Sequence, residues 1–168
     1  MDDKVIVFLQ RKSKYAAGVF SSKGLYATCL PRDTIDELID ELDGFDLPES
    51  RNSEYLSVLE SVFAIYEGKP DVDLSAIEFD FSDLTPKQVL VYKAAMNIPY
   101  GRTMPYGIVA ENAGLPGAAR FVGNVMASNR FAPLVPCHRV VSSTGIGGFT
   151  GGIERKIELL GREGVFAE

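Results

Sequence analysis

Histidine and cysteine are almost absent from this chain: one His, His138, and two Cys, Cys29 and Cys137, in 168 residues. A single imidazole cannot build a His-rich metal centre, and two distant cysteines provide neither a disulfide framework nor metal-ligand spacing. No metal and no other cofactor is therefore expected. The sequence also lacks an apolar run of bilayer-spanning length and a basic-then-apolar leader. These absences predict a soluble cytoplasmic protein without membrane contact. What is present suits an ordinary core: 46% hydrophobic and 24% charged residues, in a length that fits one domain or two small ones.

The net charge of −6 argues at first against an anionic partner, but its distribution reverses that reading. From Thr85 onward there are nine Lys/Arg and five Asp/Glu, a balance of +4, whereas the first 84 residues carry eight and eighteen, a balance of −10. A polyanion would meet the C-terminal half.

Residues 4–9 (KVIVFL), 15–21 (YAAGVFS) and 25–30 (LYATCL) are short β-favouring runs with KSK and SSKG as turns. They predict a three-stranded antiparallel meander. Helical periodicity follows in TIDELIDELDGF, where Leu38, Ile39 and Leu42 share a face, and in SEYLSVLESVFAIYEG, where Leu56, Leu59 and Phe63 do. Asp33 or Thr34 and Ser53 are the candidate N-caps. Residues 69–83 form a linker containing one strand, AIEFDF. Cys29, within YATCLP, is read as a small buried hydrophobe.

The second half opens with TPKQ, in which Thr85 caps, Pro86 starts and Gln88 closes a capping box, predicting a helix to Asn97. Thr103 is expected to cap a short helix ending at Gly114, and Pro116 to restart one running to Ser128. Two short helices about a Gly-containing turn fit a helix-turn-helix, but equally an αα-hairpin with no nucleic-acid role. In the second of them Ala119, Val122, Val125 and Met126 form the inward stripe, while Arg120 and Asn124 lie one turn apart on another face. Its small residues, including Ala118, Ala119 and Gly123, allow close approach of the backbone to a narrow groove, or tight helix packing. The last helix, IERKIELLGREG, places Ile153, Lys156, Ile157, Leu160 and Glu163 near one face.

Between these helices lies LVPCHRVV, residues 134–141, in which Cys137 and His138 are adjacent. A nucleophile and a base are the obvious roles, yet neighbours in an extended segment point to opposite faces, so direct contact between them is awkward. SSTGIGGFTGG follows, a glycine-rich stretch able to fold tightly against a ligand but lacking Walker spacing.

PCHRVV, preceded by RFVG and Asn129 and followed by GGFTGG…K…LL..EG, resembles the O6-alkylguanine-DNA alkyltransferases, the methylated-DNA–protein-cysteine methyltransferases of DNA repair. The resemblance runs from about Thr85 to Gly164. It implies an α/β fold in which an N-terminal RNase H-like domain (1–80), a three-stranded antiparallel sheet with helices, joins a mainly α-helical domain (81–168). The latter would carry the alkyltransferase and a winged helix-turn-helix-like DNA-binding motif. The structural zinc of some members is not implied, since their Cys and His ligands are missing. The implied activity is irreversible, stoichiometric transfer of an alkyl group from guanine O6, and from O4-alkylthymine, to Cys137. The implied partner is double-stranded DNA, bound by a monomer through the minor groove with little sequence preference.

Matched residue by residue, the resemblance makes Cys137 the nucleophile and His138 a base acting through a bridging water, with Glu163 fixing the imidazole tautomer and Asn129 bracing the turn. Arg120 would fill the gap left by a flipped nucleotide, with Ala118, Ala119, Gly123 and Asn124 on the same DNA-facing helix. Tyr106 would crowd the target phosphate and donate to guanine N3. The carbonyls of Cys137 and Val140 would accept from the exocyclic amine, the Thr150 N–H would donate to O6, and Phe149 and Pro133 would line the alkyl pocket. The chain departs from the pattern at Phe149, where tyrosine is usual, at Phe121, and at Arg130 in place of proline. Two other classes fit less of the sequence. A lesion sensor of the alkyltransferase-like kind would not keep Cys137, and a cysteine hydrolase or redox enzyme would leave Arg120 and Tyr106 without roles.

Overall fold

The computed structural model describes residues 3–166, which divide into two compact units. The first comprises the described residues up to Tyr66, with Val72–Asp83 and Arg130–Leu134; the second comprises Glu67–Asp71, Leu84–Asn129 and the chain from Val135 onward.

In the first unit β1 (Val5–Arg11), β2 (Lys14–Ser21) and β3 (Gly24–Thr28) form the expected antiparallel meander, in the order β1-β2-β3. Register runs from Val5 opposite Phe20 to Arg11 opposite Lys14, leaving a two-residue turn. Helices α1 (Ile35–Leu42) and α2 (Ser53–Tyr66) pack on this sheet, burying Leu38 and Leu59, Val62, Phe63 and Ile65. Thr34 caps α1 by accepting from the Glu37 N–H. The cap of α2 is Asn52, which accepts from the Glu54 N–H at 2.8 Å; Ser53 is already the first helical residue.

The expected strand AIEFDF shrinks to one parallel bridge, Leu25 with Phe79. The bridge consists of the Leu25 N–H donating to the Glu78 carbonyl and the Asp80 N–H donating to the Leu25 carbonyl, and the Asp80 carboxylate turns inward to accept from Ser21 and Ser82. Burial pushes the Asp80 carboxyl up, but those hydrogen bonds and Lys23 outweigh burial and hold it at about 2. Arg130 stacks over the Tyr26 ring at 4.3 Å and donates to the Asp80 carbonyl at 2.8 Å. Arg130, a departure from the family pattern, is thus engaged in packing within this unit.

The second unit begins with α3 (Pro86–Met96), whose capping box is complete: Thr85 accepts from the Gln88 N–H and Gln88 from the Thr85 N–H. A short β4 (Met104–Pro105) comes next, so the following helix α4 (Tyr106–Asn112) starts three residues later than Thr103 and has no side-chain cap. Pairing of Met104 with Val140 takes those residues out of the helix. Gly114, at φ +78°, ends α4 as expected. Helix α5 (Ala119–Ala127) begins after a turn at Leu115–Ala118, later than Pro116, and packs on α3 and α4. Val122, Val125 and Met126 form its buried stripe; Arg120 and Asn124 are exposed.

Cys137–Arg139 forms a single 3-10 turn, followed by the two-residue β5 (Val140–Val141), parallel to β4. Helix α6 (Ile153–Arg162) packs against that turn. Its buried row is Lys156, Leu159, Leu160 and Glu163, an i, i+3, i+4, i+7 set, while Ile153 and Ile157 flank it and are exposed. Among the described residues no helix is long and apolar enough to cross a membrane.

Candidate active site

The 3-10 turn resolves the difficulty posed by adjacent Cys and His. Tight turning at Pro136–Arg139, with Arg139 N–H bonded to the Pro136 carbonyl, frees both side chains from strand alternation. Cys137 is buried, 7% exposed, yet opens into a cavity of about 280 Å³. Tyr106 of α4, Gly123, Met126 and Ala127 of α5, and Gly148, Phe149 and Thr150 of the glycine-rich loop line the same cavity. Cys137, the helix with small residues and the glycine-rich loop thus share one space.

Gly147 explains part of the loop's composition. Its φ is +76°, and a Cβ there would stand 2.8 Å from the Tyr106 hydroxyl, so only glycine lets the loop pass beside that tyrosine. Thr150 ties the loop to α5 through its hydroxyl, which donates to the Ala127 carbonyl at 2.5 Å.

His138 is 1% exposed, and its Nε2 lies 2.8 Å from Glu163 Oε2. The Glu163 carboxylate also accepts from Arg139 Nε at 2.7 Å and from the Gly101 N–H at 3.2 Å. Burial raises its pKa, but the hydrogen bonds from His138 and Arg139 prevail and hold it at about 2. A carboxylate so placed fixes the proton on Nε2, leaving Nδ1 as the acceptor. Nδ1 is buried without a protein partner among the described residues. Burial lowers the His138 pKa in spite of Glu163, with Arg139 and Lys156 acting in the same direction as burial. Burial thus favours the neutral imidazole, the form whose Nδ1 is free to accept a proton.

Burial pushes the Cys137 thiol up, and Asn129 and Lys156 oppose that rise. Asn129 also donates its side-chain N–H to the Val135 carbonyl at 2.8 Å, bracing the approach to the turn. The carbonyls of Cys137 and Val140 are both engaged, by the Val140 N–H and by Lys156 Nζ respectively, each with a second lone pair left over.

Of the residues read from the sequence, Cys137, Tyr106, Gly123, Phe149 and Thr150 meet at the cavity; His138, next to Cys137 in the turn, pairs with Glu163, and Asn129 holds the Val135 carbonyl. Ala118, Ala119, Arg120 and Asn124 belong to the start and outer face of α5, outside the cavity lining. Pro133 falls in the first unit, after a cis peptide bond, and Val140 is fully buried; neither lines the cavity.

Two residues escaped the sequence reading. Arg139 spans both Glu163 oxygens and donates to the Ile98 carbonyl at 2.9 Å. Its signal was its place directly after His138, next to the one imidazole in need of a fixed partner. Lys156 is the other; its position on the apolar stripe of α6 was the available clue.

Residues 86–165 match the family described as 6-O-methylguanine DNA methyltransferase, DNA binding domain. A methylated-DNA–protein-cysteine methyltransferase of Mycobacterium leprae is 42% identical over 118 residues, 68% of this chain and 67% of that protein. One of Saccharolobus islandicus is 30% identical over 153 residues, 88% of this chain and 95% of its own. Several other mycobacterial relatives are matched over about half of their length. The crystal structure of Mycobacterium tuberculosis OGT in complex with DNA superposes with a TM-score of 0.66 at 28% identity, covering 94% of this chain and 91% of that one.

Proposed function

The chain belongs to the methylated-DNA–protein-cysteine methyltransferase family, and on that premise we propose that it repairs DNA by moving an alkyl group from guanine O6 onto Cys137, once per molecule. The observation that carries this reading is the shared cavity: Cys137 faces Tyr106, α5 and the glycine-rich loop, while its neighbour His138 is coupled to Glu163.

The thiol proton passes to His138 Nδ1 through a bridging water, and Glu163 steadies the resulting imidazolium from the other side of the ring. The sulfur attacks the alkyl carbon, the carbon–O6 bond breaks, and its electron pair leaves with the guanine, to which Tyr106 donates a hydrogen bond at N3. The Thr150 N–H supports O6, the Cys137 carbonyl accepts from the exocyclic amine through its remaining lone pair, and Phe149 walls the alkyl group. A thioether is a poor leaving group, so one turnover consumes the protein. O4-alkylthymine presents the same alkyl–oxygen bond and enters by the same route.

The target atom is out of reach inside a duplex, and the nucleotide is flipped, at a cost of a few kcal/mol. Helix α5, the second helix of a winged helix-turn-helix-like unit, enters the minor groove; its backbone comes close at Ala118, Ala119 and Gly123, Asn124 contacts the strand, and Arg120 fills the vacated stack. Support comes from the exposure of Arg120 and Asn124 and from the DNA held by the related Mycobacterium tuberculosis protein. The acidic N-terminal domain, of RNase H-like design, stands apart from this chemistry, and the protein acts as a monomer at DNA in the cytoplasm.

Reaction with DNA containing O6-methylguanine, or with free benzylguanine, followed by peptide mass analysis, tests the reading. One alkyl group on the Cys137 peptide is expected. Alkylation at Cys29, or repeated turnover, overturns it.

A further inference from the structure

Helix α6 turns its lysine inward and its isoleucines outward. Lys156 is 0% exposed, whereas Ile153 and Ile157 are 48% and 44% exposed. Its ammonium donates to the Val140 carbonyl at 2.6 Å and to the Gly148 carbonyl at 3.0 Å, and it has no carboxylate partner among the described residues. A buried cation balanced only by neutral carbonyls is an expensive arrangement that an apolar residue would avoid. Such a group is retained for something it does.

Its two acceptors locate that role. Val140 directly follows the turn that carries Cys137, and Gly148 stands in the wall of the cavity into which Cys137 opens. The Lys156 charge favours the Cys137 thiolate, and that thiolate in return favours the ammonium against burial, which draws Lys156 down to about 8. The other charged groups of the turn are already matched. Glu163, on the same helix, is saturated by His138, Arg139 and the Gly101 N–H, and is not available to balance Lys156.

We propose that Lys156 is the counter-charge for the Cys137 thiolate, a positioning residue that joins the glycine-rich loop to β5, and that alkylation of Cys137 strips it of the one anion it is placed to meet. On the alkyl-transfer reading, sulfur forms its bond to the alkyl carbon as the carbon–O6 bond breaks. The negative charge departs with the guanine, which takes up the proton the thiol had given to His138. A thiolate thereby becomes a neutral thioether, and the ammonium remains buried against carbonyls alone. The weakened staple between Val140 and Gly148 marks the spent protein.

The test does not depend on alkylguanine. In a Cys29→Ser background, the rate of Cys137 alkylation by iodoacetamide is followed against pH for the parent, Lys156→Met and Lys156→Arg. Lys156→Met is expected to raise the midpoint by about one pH unit, a roughly tenfold loss of thiolate at neutral pH, and Lys156→Arg to recover most of it. An unchanged midpoint in a folded Lys156→Met protein overturns the proposal. Should that variant not fold, NMR titration of Lys156 in the parent, before and after carboxamidomethylation of Cys137, decides. A lower Lys156 midpoint after modification supports the counter-charge, and an identical one refutes it. Failure of benzylguanine to modify Cys137, with these midpoints moving as expected, would sink the repair reading and leave the role of Lys156 standing.

Discussion

At Glu163 one carboxylate meets an imidazole, a guanidinium and a backbone N–H. Glu163→Gln removes the charge that steadies an imidazolium, so the transfer rate should fall about ten- to a hundredfold, with DNA affinity unchanged; an unaltered rate would take Glu163 out of the relay. Breaking a buried pair of this kind costs roughly 3–5 kcal/mol, so rates must be compared well below the lowered melting temperature. The pH dependence has a definite sign. Glu163 is held at about 2 in the fold, below its ordinary 4.5, so its contribution to stability is present above 4.5 and lost as pH falls toward about 2. Thermal melts across that acid window should be less pH-dependent in Glu163→Gln than in the parent. Cys137 and His138 stood out by residue type and adjacency, and Glu163 was reached through the family resemblance. Arg139 and Lys156 were not, because an arginine or lysine in sequence reads as surface charge until the fold shows it nearly or wholly buried.

Elements divide differently from residues. The meander, both N-terminal helices, the α3 capping box and the Gly114 stop were all legible, since each rests on local periodicity or a local cap. Later starts for α4 and α5, the loss of AIEFDF as a strand and the 3-10 turn at Cys137 were not. The late start of α4 is set by a partner remote in sequence, Val140 for Met104, while α5 and the 3-10 turn follow from tight local turns at Leu115–Ala118 and Pro136–Arg139 that residue periodicity does not announce. Helix α5 is where element geometry bears on function. Arg120 and Asn124 are exposed while Val122, Val125 and Met126 anchor the opposite face, so truncating Arg120 should leave the fold intact. Arg120→Ala is expected to slow repair of O6-methylguanine in duplex DNA at least tenfold, equivalent to about 1.4 kcal/mol of lost support for an extruded base. Reaction with free benzylguanine should change little, since no stack has to be opened. Equal losses on the two substrates would remove Arg120 from the flipping step.

Over the whole chain, a net charge of −6 conceals a C-terminal half at +4 and an N-terminal portion at −10. Affinity for a polyanion then depends on local field and counterion release rather than on total charge, and the acidic portion subtracts from it at long range. Because phosphate contacts are sequence-independent, binding to undamaged duplexes should vary little with base sequence. It should weaken steeply with salt: neutralising some four phosphates gives a roughly hundredfold drop between about 50 and 200 mM. Fluorescence anisotropy titrations of an undamaged duplex at several salt concentrations measure that slope. The free benzylguanine reaction supplies the contrast, for a neutral ligand entering the cavity beside Cys137 releases no counterions and its rate should stay nearly flat over the same range. A flat DNA isotherm would mean that the basic half is not the surface the duplex meets, and the assignment of α5 to the groove would fall with it, while the chemistry at Cys137 could still stand on the small-molecule reaction.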